Sequence, residues 1–422
     1  MRERDSGQGH STQQQPGGRS GFTMNKMTAL VSLLALAGLS RPGHSDDKQP
    51  PLRAADGLFD LQNKQTLGLE SLKSDRSLVY RANSETGIYS HHPSLVVFRG
   101  RLFCSWSNGK EGNEDDPGQR VLFATSVDGA EWSKHRVLFE PGDKKNETSA
   151  AAGFHVHGQT LVAYFTFRRG SPILSLLKAD NALFARTTRD GESWSEPIRV
   201  TSGSFMESPM RLPGGRLLLT GEATGPRRNS RKSRMLMLFS DNPNGLGPWQ
   251  EGQIEPARSK PIGEAIFRWS EPCPYVRSDG VIVSPFRNTS GYLYASLSRD
   301  NGKTWSVPQP TNFADSRARF CTGQLPDGRT YIISNPGAGK SRRFGTGNRT
   351  LLTISFSQDG QVFDQAFVLR GERAVHRFGG RGKSNGWQYP HAVIFKNQLC
   401  VIYSINKEDI GVTRLPLKSS HP

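Results

Sequence analysis

Ser126-Val-Asp128-Gly129-Ala-Glu-Trp132, Thr188-Arg-Asp190-Gly191-Glu-Ser-Trp194, Ser298-Arg-Asp300-Asn-Gly302-Lys-Thr-Trp305 and Ser357-Gln-Asp359-Gly360-Gln-Val-Phe363 are one phrase written four times: a small hydroxyl, a spacer, Asp, Gly, then an aromatic. A degraded copy, Ser240-Asp241-Asn-Pro-Asn-Gly245 ending at Trp249, fills the gap, so the phrase recurs roughly every 50 to 60 residues, the period of propeller-type repeats. Each part has a mechanical use. The Asp accepts backbone N–H bonds inside a turn, the Gly supplies the positive φ of a tight reversal, and the aromatic packs the turn onto its sheet. A turn device present in every blade cannot mark one unique site, so these boxes are expected to be structural.

Working outward, the chain of 422 residues holds about 340 residues of such repeats, enough for about six blades closing on themselves. The expected fold class is all-β, a six-bladed β-propeller over residues 80–418, preceded by an N-terminal extension and signal segment over 1–45 and a linker or lead-in over 46–79. A hydrophobic content of 34% beside 45 Gly and 26 Pro suits many short strands joined by turns and argues against a helical protein. Apolar and polar residues alternate in Ser94 to Trp106 and in Gln159 to Phe167, which read as strand pairs.

Residues 1–23 are rich in Gln, Gly, Arg and Ser, and then Met24-Asn-Lys-Met-Thr-Ala-Leu-Val-Ser-Leu-Leu-Ala-Leu-Ala-Gly-Leu-Ser40 places a basic start before a short apolar run. That is the pattern of a secretory signal, too short for a comfortable membrane span, and it predicts an exported chain without stable membrane insertion. Cys104, Cys273, Cys321 and Cys400 are widely spaced in strand-like runs, which argues against a metal site; in an oxidising compartment they permit three disulfide pairings, against the simpler reading of buried free thiols acting as small hydrophobes. The formal charge of +17 gathers in Arg227 to Arg234, Lys340 to Arg343 and Arg373 to Lys383. Such loops favour a polyanionic partner. For an exported chain with no nucleic-acid-binding motif, acidic carbohydrate rather than nucleic acid is the expected partner, with the chain acting as a monomer.

The boxes, their spacing and several residues between them resemble the Asp-box sialidases, six-bladed exo-acting glycosidases, over about residues 85 to 415. The stretch Ser270-Glu271 to Phe286-Arg287 is similar to the sialidase stretch that carries a glutamate, a turn and an arginine. Asn348-Arg349 matches a further substrate arginine one strand before its box, and Gln388-Tyr389-Pro-His resembles the strand that presents the nucleophilic tyrosine. The resemblance implies Tyr389 as nucleophile, Glu271 as its base, and Arg287 and Arg349 as donors to a substrate carboxylate, with no cofactor and no metal. The chemistry is coherent: a phenol with an ordinary pKa near about 10 needs a neighbouring carboxylate to take its proton. Being neutral before attack, it also approaches a carboxylate-bearing anomeric carbon without repulsion. Asp115, in Asn113-Glu-Asp-Asp-Pro117, precedes its box by about the distance of the family's acid/base aspartate, with Asp116 as competitor.

The chain departs from the family at Tyr89-Ser-His91-His92-Pro93, where His91 stands at the place of the first carboxylate-binding arginine. A neutral imidazole cannot make the arginine fork, so His91 and His92 enter as substrate-binding candidates of a different kind. Glu207 repeats the Glu271 segment one blade earlier and reads as a scaffold position ahead of a pocket residue, and His155 and His157 share one strand face, where hydrogen-bonded loop residues are favoured over a metal or proton-transfer pair. Convergence of all four histidines at the axis sustains a rival reading. In it, a propeller lyase or rhamnosidase acts on uronic-acid glycans with His as base and Tyr164 or Tyr389 as acid. A propeller that binds acidic glycans without cleaving them is a third reading.

Overall fold

The computed structural model describes residues 49–169, 180–223, 234–254, 265–267, 269–337 and 347–417. The signal segment, residues 227–233 of the first basic cluster and all of the second lie outside them. The described residues form six four-stranded antiparallel sheets, the blades of a propeller, and no helix is found among them. The first blade runs Tyr89–Phe98, Arg101–Gly109, Arg120–Ser126 and Arg136–Phe139 from axis to rim. The second, third, fourth and fifth blades begin at Glu147–His157, Met210–Arg211, Tyr275–Val276 and Cys321–Gln324. The sixth contains Trp387–Phe395, Gln398–Ile405 and Asp409–Pro416, and its outer strand is Asp75–Tyr80 from the lead-in, paired with Ser77 opposite Val412. The ring therefore closes through hydrogen bonds between the two ends of the repeat region.

Antiparallel order fixes which loops share an end. In a four-stranded up-and-down sheet, the start of the first strand and the connection from second to third lie at one end; the connection from third to fourth lies at the other. Every box falls in a third-to-fourth connection. In the first, Ser126 Oγ donates to Asp128 Oδ1 at 2.9 Å, and Asp128 Oδ1 accepts the N–H groups of Ala130 and Glu131 at 2.8 and 3.0 Å. Those N–H groups hold the Asp128 carboxyl down at about 2. The second, fourth and fifth blades repeat the pattern at Asp190, Asp300 and Asp359. In the degraded third box, Asp241 instead pairs with Arg216 at 2.6 Å.

The boxes also join the blades. A Cβ on Gly191, whose φ is +80°, would fall 2.5 Å from Phe103 Cζ of the preceding blade, and Trp194 packs edge-on against Phe123 of that blade. Between the first two blades lies a core of Phe98, Phe103, Phe123, Phe154 and Phe165, each contributing on the order of 1.5–3 kcal/mol by burial. His155 and Tyr164 belong to this structural end: His155 Nε2 lies 2.8 Å from the Pro243 carbonyl oxygen, and the Tyr164 hydroxyl donates to the Gly245 carbonyl at 2.8 Å. His157 is exposed nearby, so the four histidines do not meet at the axis. All four cysteines are free thiols, Cys104, Cys321 and Cys400 buried, with burial pushing Cys400 up to about 11.

Candidate active site

The end opposite the boxes opens into an axial cavity of about 410 Å³. Its lining comes from the sites that antiparallel order brings together. Glu271 and Arg317 precede innermost strands, Arg287 follows Ile282–Phe286, Arg349 precedes Leu352–Ser357, and Lys407 turns between the second and third strands of the sixth blade. Tyr389 and His92 occupy corresponding bulges in the innermost strands of the sixth and first blades, where the register shifts between Gln388 and His391 and between His91 and Ser94. A bulge re-aims a side chain out of the pleat and toward the axis.

The backbone is correspondingly unusual. Of the thirteen non-glycine residues with positive φ among the described residues, seven line this cavity: His92, Asp115, Trp269, Glu271, Arg317, Tyr389 and Lys407. Such conformations are disfavoured for side-chain-bearing residues and persist where surrounding structure holds them.

At the centre, the Tyr389 hydroxyl donates to Glu271 Oε1 at 3.0 Å and receives an N–H from Arg287 Nη1 at 2.8 Å. Arg287 Nη1 also lies 2.8 Å from Glu271 Oε2. Burial pushes the Tyr389 phenol up, partly offset by Arg287, so the resting hydroxyl is protonated. Arg349 is buried and pairs with no carboxylate among the described residues: its Nη1 donates to Gln388 Oε1 at 2.6 Å and its Nη2 to the Arg317 carbonyl at 3.0 Å. Its Nε is buried without a hydrogen-bond partner. The guanidinium groups of Arg287, Arg319 and Arg349 stand 5.7, 5.9 and 5.6 Å from the Tyr389 ring centre.

Asp115 reaches the same cavity from the first blade and is ion-paired with Arg168 of the second at 2.5 Å. Asp116 instead bonds Asn113 at 2.7 Å and Arg381 at 3.4 Å and does not line the cavity. His92 lines it, with Nδ1 3.0 Å from Ser107 Oγ. His91 does not. It is wholly buried with its ring centre 3.9 Å from that of Tyr389, so the structure places it beneath the phenol and out of contact with a ligand. Burial, with Lys407 adding to it, pushes the His91 imidazole well below its ordinary range, and it is neutral.

Several lining groups escaped the sequence reading. Glu207, expected as scaffold, faces the cavity and pairs with the buried Arg319; its carboxyl is pushed up by burial, against the pull of that arginine. Glu114 is gripped by Lys407, whose Nζ is 2.8 Å from both carboxylate oxygens. Glu114 had a signal in its adjacency to Asp115, whereas Lys407, in Asn406-Lys-Glu-Asp409, reads like any exposed hairpin turn. The third basic cluster is largely consumed internally: Arg377 pairs with Asp409, Arg381 with Asp116, and the buried Lys383 with Glu408.

The comparisons with known proteins agree with this architecture. Residues 100–401 match the family model of the BNR repeat-like domain. None of the curated proteins matches the chain in sequence. Among solved structures, a sialidase is similar at 19% identity and a TM-score of 0.60, over 87% of this chain and 35% of its own. A protein of unknown function from Dyadobacter fermentans is similar at 17% identity and 0.62, over 83% of this chain and 100% of its own. Trypanosoma rangeli sialidase, solved with sialic acid, is similar at 14% identity and 0.58, over 82% of this chain and 59% of its own. The chain thus spans about a third of the first sialidase and about three fifths of the second, and at these identities the likeness establishes a shared fold. With repeated Asp boxes, six blades and a family model matched over most of its length, this chain belongs to the BNR repeat-like family and has the sialidase-like propeller fold.

Proposed function

We propose that the chain is a retaining glycoside hydrolase of sialidase type, exported from the cytoplasm, that releases a terminal acidic sugar. The observation that carries this reading is the contact of the Tyr389 hydroxyl with Glu271 at 3.0 Å and Arg287 at 2.8 Å inside one axial cavity. A buried phenol with a raised pKa is a weak nucleophile until a base removes its proton, and the 3.0 Å contact with Glu271 supports that residue as the base. Arg287 then stabilises the phenolate as it forms. The Tyr389 oxygen attacks the anomeric carbon, its proton passes to Glu271, and Asp115, which must first take a proton from solvent and so give up its ion pair with Arg168, donates that proton to the departing glycosidic oxygen. In the second half, Asp115 takes a proton from water, the water oxygen displaces Tyr389, and Glu271 returns the proton to the phenolate.

Arg349 supports an acidic substrate. A buried guanidinium without a carboxylate of its own favours a ligand carboxylate that can take paired N–H donors. Trypanosoma rangeli sialidase, solved with sialic acid and with 2,3-difluorosialic acid as a covalent intermediate, shares the fold and suggests the sugar class to try first. Elimination on a uronate with His91 as base is less well supported, since that ring is closed off beneath Tyr389.

The test is hydrolysis of a fluorogenic sialoside beside a panel of uronate polysaccharides, with proton NMR following the anomer first released. Hydrolysis with retention, abolished in Glu271→Gln, is the expected result. An unsaturated uronate product, or sialic acid binding with no turnover of any acidic glycan, would replace this reading by the lyase or the binding propeller.

A further inference from the structure

The carboxylates around the cavity are not equivalent. The Glu114 side chain is 30% exposed, against 13% for Asp115, 11% for Glu271 and 10% for Glu207. Glu114 Oε1 accepts from Lys407 Nζ at 2.8 Å and from the Tyr89 hydroxyl at 3.3 Å, while among the described residues Oε2 accepts from Lys407 alone, also at 2.8 Å. An ionised carboxylate offers about four acceptor positions, so one remains on Oε2. The space beside it is kept by Gly382, another lining residue: a Cβ there would fall 2.8 Å from that oxygen. Burial would raise the Glu114 carboxyl, but Lys407, Arg349 and Arg287 outweigh it and hold the group below the ordinary carboxylate range. It is therefore a charged acceptor that cannot donate.

Glu114 is also held rigidly. Its N–H donates to the Arg381 carbonyl at 3.1 Å, and nearby the chain crosses itself so closely that a Cβ on Gly380 would fall 1.9 Å from the Gly112 carbonyl oxygen. A ligand carboxylate is repelled by Glu114 and attracted by Arg349, which gives the cavity a polarity. An acidic sugar enters with its anionic end toward Arg349 and presents hydroxyl or amide hydrogens elsewhere.

Resting on the acidic-sugar reading of this cavity, we propose that Glu114, fixed by Lys407, is a specificity residue whose Oε2 accepts a hydrogen bond from a hydroxyl or amide N–H of the bound sugar. The discrimination is of the strong kind, since a ligand lacking that donor leaves a charged acceptor unpaired.

The experiment measures binding of N-acetylneuraminic acid, glucuronic acid and a set of monodeoxy and deacetylated neuraminic acids to the whole protein by titration calorimetry, with kinetics on the fluorogenic sialoside. In the native protein, one analogue lacking a donor should bind about tenfold to a hundredfold more weakly than its parent. In Glu114→Gln, which is nearly isosteric, that ratio should shrink toward one, and KM should rise by more than kcat falls. Lys407→Met should shrink the same ratio and no other. If Glu114→Gln keeps the native ratio for every analogue while Tyr389→Phe still abolishes turnover, this assignment falls and the proposed function stands. If no acidic sugar binds the native protein, both fall together.

Discussion

The two ends of the same six sheets solve one problem, a sharply turning chain rich in polar groups, by opposite means. At the box end, partners are near in sequence: Asp128 is satisfied by groups two and three residues away, and positive φ is given to glycines such as Gly191. At the cavity end, positive φ is imposed on Asp115, Glu271, Tyr389 and Lys407, and partners are remote. Tyr389 and Glu271 are 118 residues apart, Arg319 and Glu207 112, and Lys407 and Glu114 293. The box end is complete within each of four turns, and a fifth, degraded copy borrows Arg216 from outside its turn. The cavity end exists only once the ring has closed, and its strained, mutually dependent charges are of the kind found where a protein binds or reacts.

Substitutions at the two ends should therefore separate function from stability. The largest effect is expected from Tyr389→Phe, which keeps the ring packed on His91 and deletes the oxygen proposed as nucleophile: kcat on a cleaved acidic glycoside should fall on the order of a thousandfold or more, with the melting temperature nearly unchanged. Retained turnover would remove the distinction drawn for the cavity end. Gly191→Val is the converse. Forcing a branched side chain into a left-handed turn against Phe103 should cost about 1–3 kcal/mol in denaturant unfolding while leaving kcat per folded molecule alone.

Acid and base should also act on different ends. Asp128, held at about 2 against an ordinary 3.8, contributes stability that is present above about pH 4 and is lost as the pH falls toward about 2. Asp128→Asn should lessen the acid dependence of melting in that window. Asp315, beneath the cavity arginines, is pushed the other way. Burial raises it to about 7 against an ordinary 3.8, partly offset by the N–H of Arg317. A raised folded-state pKa means its contribution is fully present below about pH 4 and is lost as pH rises through about 7. Asp315→Asn, which imitates the protonated acid, should flatten the decline in melting temperature between about pH 4 and about pH 7; an unchanged slope there would show that Asp315 does not carry it.

Much of the fold was legible because the boxes are local. Their spacing predicts six blades, and the sheets have that number and order. Closure of the sixth blade by Asp75–Tyr80 was not legible, because a strand that pairs with the far end of the chain carries no mark of its partner. In the site, Tyr389, Glu271, Arg287, Arg349 and Asp115 were identified from their surrounding words, and the structure brings all five to one cavity. His91 was expected to bind substrate and lies behind Tyr389, off the cavity lining, since a bulge turns His92 rather than its neighbour toward the axis. Glu207 was expected to be scaffold, but the turn before its short strand points it inward. Lys407 offered no pattern, because its meaning comes entirely from Glu114 in another blade.

By itself, the order of residues determined the turns, their period and the all-β character, because an Asp box closes its hydrogen bonds within a few residues and needs nothing beyond its own turn. Only the tertiary structure decided which charges meet, which histidine faces the cavity and which carboxylate keeps an acceptor free. Those contacts join residues a hundred or more positions apart, and they arise from the geometry of a closed ring.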